Sequence, residues 1–121
     1  RFLQGKFVSP SKSASPKPGI PVRGSDTGRP IMALLDLLGR RGALRLIWEL
    51  RQDALTFRAL QEAADLNPST LNARLKDLRG ARIVTLGDQG YSLTPEGGDL
   101  LSSILPLHSW AERWAEDSDQ A

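Results

Sequence analysis

Between Asn67 and Arg82 the chain concentrates side chains that can hold another molecule: Asn67, Ser69, Thr70, Asn72, Arg74, Lys76, Arg79 and Arg82, with Ala73 among them. Amides, hydroxyls, ammonium and guanidinium groups form hydrogen bonds and neutralise charge, but they do not by themselves break covalent bonds. Ser69 and Thr70 suit base edges or phosphates, Arg74 a guanine or a phosphate, and Ala73 can touch only a thymine methyl group. Lys76, Arg79 and Arg82 suit phosphates, contacts that set affinity and salt dependence and carry no base sequence. Asp77 interrupts this positive charge unless it pairs with Arg74 or another neighbour.

Bond-making chemistry finds no comparable set. The absence of cysteine removes disulfides, thiolate metal ligands, a thiol nucleophile and any thiol redox sensor. His108 is the only histidine, which excludes a His-rich metal site, and Ser102-Ser103 has no base or orienting partner at a recognisable spacing. The glycines at 87, 90, 97 and 98 match no loop that cradles phosphate. The expectation is therefore a non-enzyme without metal or cofactor.

The elements that position the polar set can be read from periodicity. The chain has 121 residues, 40% of them hydrophobic, which suits one domain with a modest core. The longest apolar run, Ile31 to Leu35, falls far short of the ~20 residues of a membrane helix. A soluble, cytoplasmic protein is expected. Formal net charge is +2 but unevenly spread. Residues 1–29 carry Arg1, Lys6, Lys12, Lys17, Arg23 and Arg29 against Asp26, whereas residues 83–121 carry Arg113 against seven acids. With five prolines from Ser9 to Pro30, residues 1–29 read as a basic Pro/Ser-rich tail and residues 30–121 as the folded domain.

Pro30 suits a first helical turn, and Ile31, Leu34, Leu35 and Leu38 recur at helical spacing until Gly39. A second helix is expected from Arg41 to Arg51, with Leu44, Ile47 and Trp48 on one face. Thr56 can cap a short helix that turns Phe57, Leu60 and Ala64 inward. After the turn Asp65-Leu66-Asn67, Asn67 caps a helix opened by Pro68, with Leu71, Leu75 and Leu78 as its buried stripe and Gly80 as its end. The period then changes to that of a hairpin: Ile83 to Leu86, the turn 87–90, and Tyr91 to Leu93. Thr94-Pro95 opens a last helical region with an apolar face from Leu100 to Trp114, kinked or broken at Pro106.

This order defines a mainly α chain with one small two-stranded β-hairpin, the winged helix-turn-helix, in which the helix from Pro68 is the recognition helix and the hairpin the wing. At 100° per residue from Leu75, the leucines gather on one side. Ser69, Thr70, Ala73, Lys76 and Asp77 fall opposite, and Asn72 and Arg74 lie on the flanks. The wing has only Asp88 and Gln89 at its tip and no Lys or Arg, so its grip on a polyanion is expected to be weak. The basic tail compensates, on this reading, by entering a minor groove.

The stretch Leu66-Asn67-Pro68-Ser69-Thr70-Leu71-Asn72-Ala73-Arg74-Leu75-Lys76-Asp77-Leu78, with Tyr91-Ser92-Leu93-Thr94-Pro95-Glu96-Gly97, resembles HxlR-type winged-helix regulators. The likeness runs from about Pro30 to Trp114 and includes Gly39-Arg40-Arg41, Thr56-Phe57-Arg58-Ala59-Leu60 and Trp110-Ala111. It implies a homodimeric cytoplasmic transcription factor whose N- and C-terminal helices form the dimer interface, here through Ile31, Leu34, Leu35, Leu38, Leu107, Trp110 and Trp114. Family members usually have Trp where Gly42 stands, Cys-Pro where Arg29-Pro30 stands, Lys and Gln where Ser69 and Ala73 stand, and a longer basic wing.

The expected function is thus sequence-specific binding of double-stranded DNA at an inverted repeat, with repression as the mode and room for a small-molecule effector of unspecified chemistry. The alternative is a winged helix used for protein–protein interaction or assembly, with weak or non-specific DNA binding; the neutral wing, Ala73 and Asp77 favour it.

Overall fold

The computed structural model describes residues 29–120, so the proposed tail, apart from Arg29, lies outside the described residues. Pro30 starts α1 (Pro30–Leu38), where a missing N–H costs nothing. The next helix, α2 (Ala43–Glu49), begins two residues later than its periodicity suggests, because Gly42 adopts a left-handed conformation with φ 86° as its N-cap. A Cβ there would also lie 2.8 Å from the Leu66 side chain. A larger residue at 42 would have both to displace the end of the Leu66 side chain and to hold a left-handed backbone, which glycine does without strain.

Thr56 and Asn67 both cap as expected, each accepting a backbone N–H three residues on, and they open α3 (Phe57–Ala64) and α4 (Pro68–Gly80). Asp65, left-handed at φ 54°, turns the chain between them. The wing is β1 (Val84–Gly87) paired antiparallel with β2 (Gly90–Leu93), Val84 opposite Leu93 and Leu86 opposite Tyr91. Sequence periodicity does not show that Leu55 extends this hairpin. Its N–H and C=O exchange hydrogen bonds of 2.9 and 2.8 Å with Tyr91. Gly90, at φ 114°, lies so close to Leu55 that a Cβ would sit 2.5 Å from the Leu55 carbonyl oxygen.

The last helical region is two helices, α5 (Pro95–Ile104) and α6 (Pro106–Gln120), divided where Pro106 cannot donate to the helical ladder. Thr94 caps α5 through its Oγ1, which accepts from the Gly97 N–H, and the same hydroxyl donates to the Arg82 carbonyl at 2.6 Å. The wing base and α5 are thereby tied to the end of α4. One core joins these elements: Leu37 of α1, Leu46, Ile47 and Leu50 around α2, Leu60 and Ala64 of α3, Leu71, Leu75 and Leu78 of α4, Ile83, Val84 and Leu101. Trp48 is half-buried rather than central; its ring stacks on His108 at 5.7 Å and carries the Arg51 guanidinium 4.1 Å from its centroid.

Candidate nucleic-acid interface

The three leucines of α4 are buried to 2% exposure or less, which fixes the rotation of the helix about its axis. Its outward stripe is Ser69, Asn72, Lys76 and Arg79, all exposed and spaced three or four residues apart. Thr70, Ala73 and Arg74 are half-buried, and Asp77 is buried at 2% exposure. The exposed face is therefore turned by roughly 80° from the one expected opposite the leucines, at 100° per residue. The reason is tertiary. The joint between α1 and α2 packs along the side of α4 that carries Arg74 and Asp77, a neighbour that a helical wheel cannot include.

Arg74 is turned inward by that joint. Its Nε donates to the Arg41 carbonyl at 2.8 Å and its Nη1 to Asp77 Oδ2 at 2.7 Å, while Arg40 Nη1 lies 3.1 Å from the same carboxylate oxygen. In this arrangement the guanidinium is engaged within the protein, not held out toward a groove. Asp77 pairs with Arg74, one of the outcomes its sequence position left open, and with Arg40 as well. Asn67 directs its Oδ1 at the Thr70 N–H, so its acceptor serves the helix end.

Past α4 the chain turns sharply. Arg82 is left-handed at φ 63°, its N–H bonds the Arg79 carbonyl, and the Ile83 N–H reaches back to Leu78. This is the Schellman arrangement, in which glycine is the usual occupant of the left-handed position. The Arg82 side chain is 79% exposed and lies 3.3 Å from Glu96. Between the second half of α4 and the wing lies an open groove of about 940 Å³. Leu75, Val84, Tyr91 and Pro95 give it apolar walls, and Asn72, Lys76, Arg79 and Arg82 line it with polar and cationic groups. Nothing in the sequence alone indicated that Thr85, Tyr91 and Thr94 line the same groove. The wing tip, Asp88 and Gln89, is exposed.

A second surface is apolar. Ile31 and Leu35 of α1, and Leu105, Leu107, Trp110 and Trp114 around α6, are large and exposed, the two tryptophans at 52% and 59% and stacked at 5.6 Å. Leu34 and Leu38 are half-buried, and Leu38 packs against the core.

These elements and their connections make the chain a winged helix-turn-helix protein. Known proteins agree with that class. An uncharacterized HTH-type transcriptional regulator of Methanocaldococcus jannaschii is 23% identical over 90 residues, 70% of this chain and 85% of the relative. Quinone-bound YodB from B. subtilis superposes with a TM-score of 0.63 at 26% identity, covering 69% of this chain and 96% of that one. A regulator of the MarR family from Enterococcus faecalis superposes with a TM-score of 0.65 at 24% identity, covering 83% and 98%. No family model matches the chain. Sequence and fold thus relate it to helix-turn-helix transcriptional regulators.

Proposed function

We propose that this chain is a DNA-binding transcriptional regulator of the HxlR type, acting in the cytoplasm as a homodimer that represses from an inverted repeat. The observation that carries the reading is the exposed stripe Ser69, Asn72, Lys76 and Arg79 on α4, continued by Arg82 into the groove beside the wing. In a winged helix this stripe enters the major groove. Ser69 and Asn72, near the helix N-terminus, then face base edges, and Lys76, Arg79 and Arg82 take phosphates. Thr70, Ala73 and Asn67 flank the same end as secondary contacts, and Arg74 supports the helix. The exposed apolar faces of α1 and α6 supply the dimer contact, since a patch of this kind on a small domain marks an association surface. Two-fold symmetry then sets half-sites about one helical turn, ~34 Å, apart.

Selection of random duplex by the purified protein tests this directly. Enrichment of a palindrome whose affinity falls steeply on Asn72→Ala supports it. A specific observation favours a second reading, an assembly module: the wing has no cation, and Leu86 on β1 is exposed. Absence of enrichment even at low salt, where phosphate contacts are strongest, sinks the DNA reading in favour of that one.

A further inference from the structure

A chain of charged contacts runs from α1 to α4. Asp36 of α1 receives Arg40 Nη2 at 3.2 Å, and Arg40 Nη1 lies 3.1 Å from Asp77 Oδ2 on α4. Arg74 closes the chain by binding that same oxygen at 2.7 Å and the Arg41 carbonyl at 2.8 Å. Asp77 is the one charged residue found fully buried among the described residues.

We infer that this network is the device that orients the recognition helix relative to α1, and that Arg74, Arg40 and Asp36 are positioning residues for DNA recognition. The inference rests on the dimeric DNA-binding reading above. Apolar contacts through Leu71, Leu75 and Leu78 hold α4 to the core but are non-directional, so they permit small rotations. Charge-assisted hydrogen bonds are directional, and a guanidinium binding two acceptors in its own plane fixes an angle. A buried ionic cluster contributes little net stability compared with an apolar replacement, and its best-attested use is to specify one arrangement. Here the arrangement specified is that of the DNA-reading helix against α1, which in the dimer lies at the two-fold axis. The network therefore sets the relative orientation of the two recognition helices and with it the tolerated spacing between half-sites. Asp36 lies on α1, away from the exposed stripe of α4, so an effect of its substitution on spacing would not come from a lost base contact.

The test uses the full chain and duplexes that carry two copies of the selected half-site with spacers of different length. One added base pair rotates one half-site by ~34° relative to the other. Asp36→Asn and Arg74→Lys are each expected to keep the preferred half-site sequence and to lose about fivefold of the discrimination between the best spacer and its neighbours, the low end of usual coupling between sites. Lysine keeps the charge of Arg74 but cannot make both of its directed contacts. Unchanged spacing preference in both variants overturns the inference, as does a loss of half-site preference confined to Arg74→Lys. Amide exchange of the DNA-free Asp36→Asn protein provides an independent readout. Faster exchange in α4 with α5 unaffected supports the network's role; uniform acceleration, or none, overturns it. If the intact chain selects no duplex, the DNA reading fails separately, and amide exchange still decides whether the network orients α4.

Discussion

Arg82 holds a left-handed backbone conformation that glycine adopts with less strain, and its guanidinium stands exposed at the lip of the groove beside α4. A strained residue kept at a candidate binding site suggests that the side chain matters there. Arg82→Gly separates the two roles. Relief of the left-handed penalty is expected to raise stability by about 1 kcal/mol, read as a higher thermal midpoint. DNA affinity is expected to fall, with the slope of log affinity against log salt shallower by about 0.9, the value of one phosphate contact. A stabilised variant with an unchanged slope removes Arg82 from the interface. Asn67→Ala tests the cap at the other end of the same helix. Its loss leaves the Thr70 N–H without its side-chain acceptor and is expected to cost about 1 kcal/mol in denaturant unfolding.

At the scale of elements, the wing is the part most open to improvement. Neither Asp88 nor Gln89 has a positive φ, so lysine can stand at either position without backbone strain. The double change Asp88→Lys, Gln89→Lys is expected to tighten DNA binding at low salt and steepen the salt slope by up to about two contacts. Titrations at several salt concentrations check this, and an unaltered slope places the wing away from DNA. By contrast α2 tolerates little change at its start. Gly42→Ala combines a left-handed backbone with a clash against Leu66, and a loss of about 1–2 kcal/mol is expected in thermal unfolding.

For the molecule as a whole, the exposed apolar surfaces of α1 and α6 are the proposed association surface. Trp110→Asp with Trp114→Asp replaces two exposed, stacked rings by repelling charges. Sedimentation is expected to show a monomer with its helix content kept, and affinity for the palindrome to drop toward that for a single half-site. A double variant that sediments like the unaltered protein places the association surface elsewhere. The predicted tail lies outside the described residues, and its part is assigned by deletion: removal of residues 1–24 is expected to weaken binding and flatten its salt slope.

Much of this architecture was legible in the sequence because it is set locally. Thr56, Asn67 and Thr94 cap their helices through bonds three residues away, Pro30, Pro68, Pro95 and Pro106 mark where helices begin, and Leu71, Leu75 and Leu78 fix an inward face by spacing alone. Contacts distant in sequence decided the rest. The ladder between Leu55 and Tyr91 joins residues 36 apart, the Leu66 side chain packs against the left-handed Gly42, and the α1–α2 joint buries Asp77 and draws Arg74 inward. Capping and periodicity are properties of neighbouring residues, so they alone show a polar helix with a leucine back standing before a short hairpin. Which side of that helix faces outward depends instead on the packing of elements far apart in the chain. Burial depends on what packs beside a residue, and Ser69, Asn72, Lys76 and Arg79 are exposed because no other element among the described residues covers them.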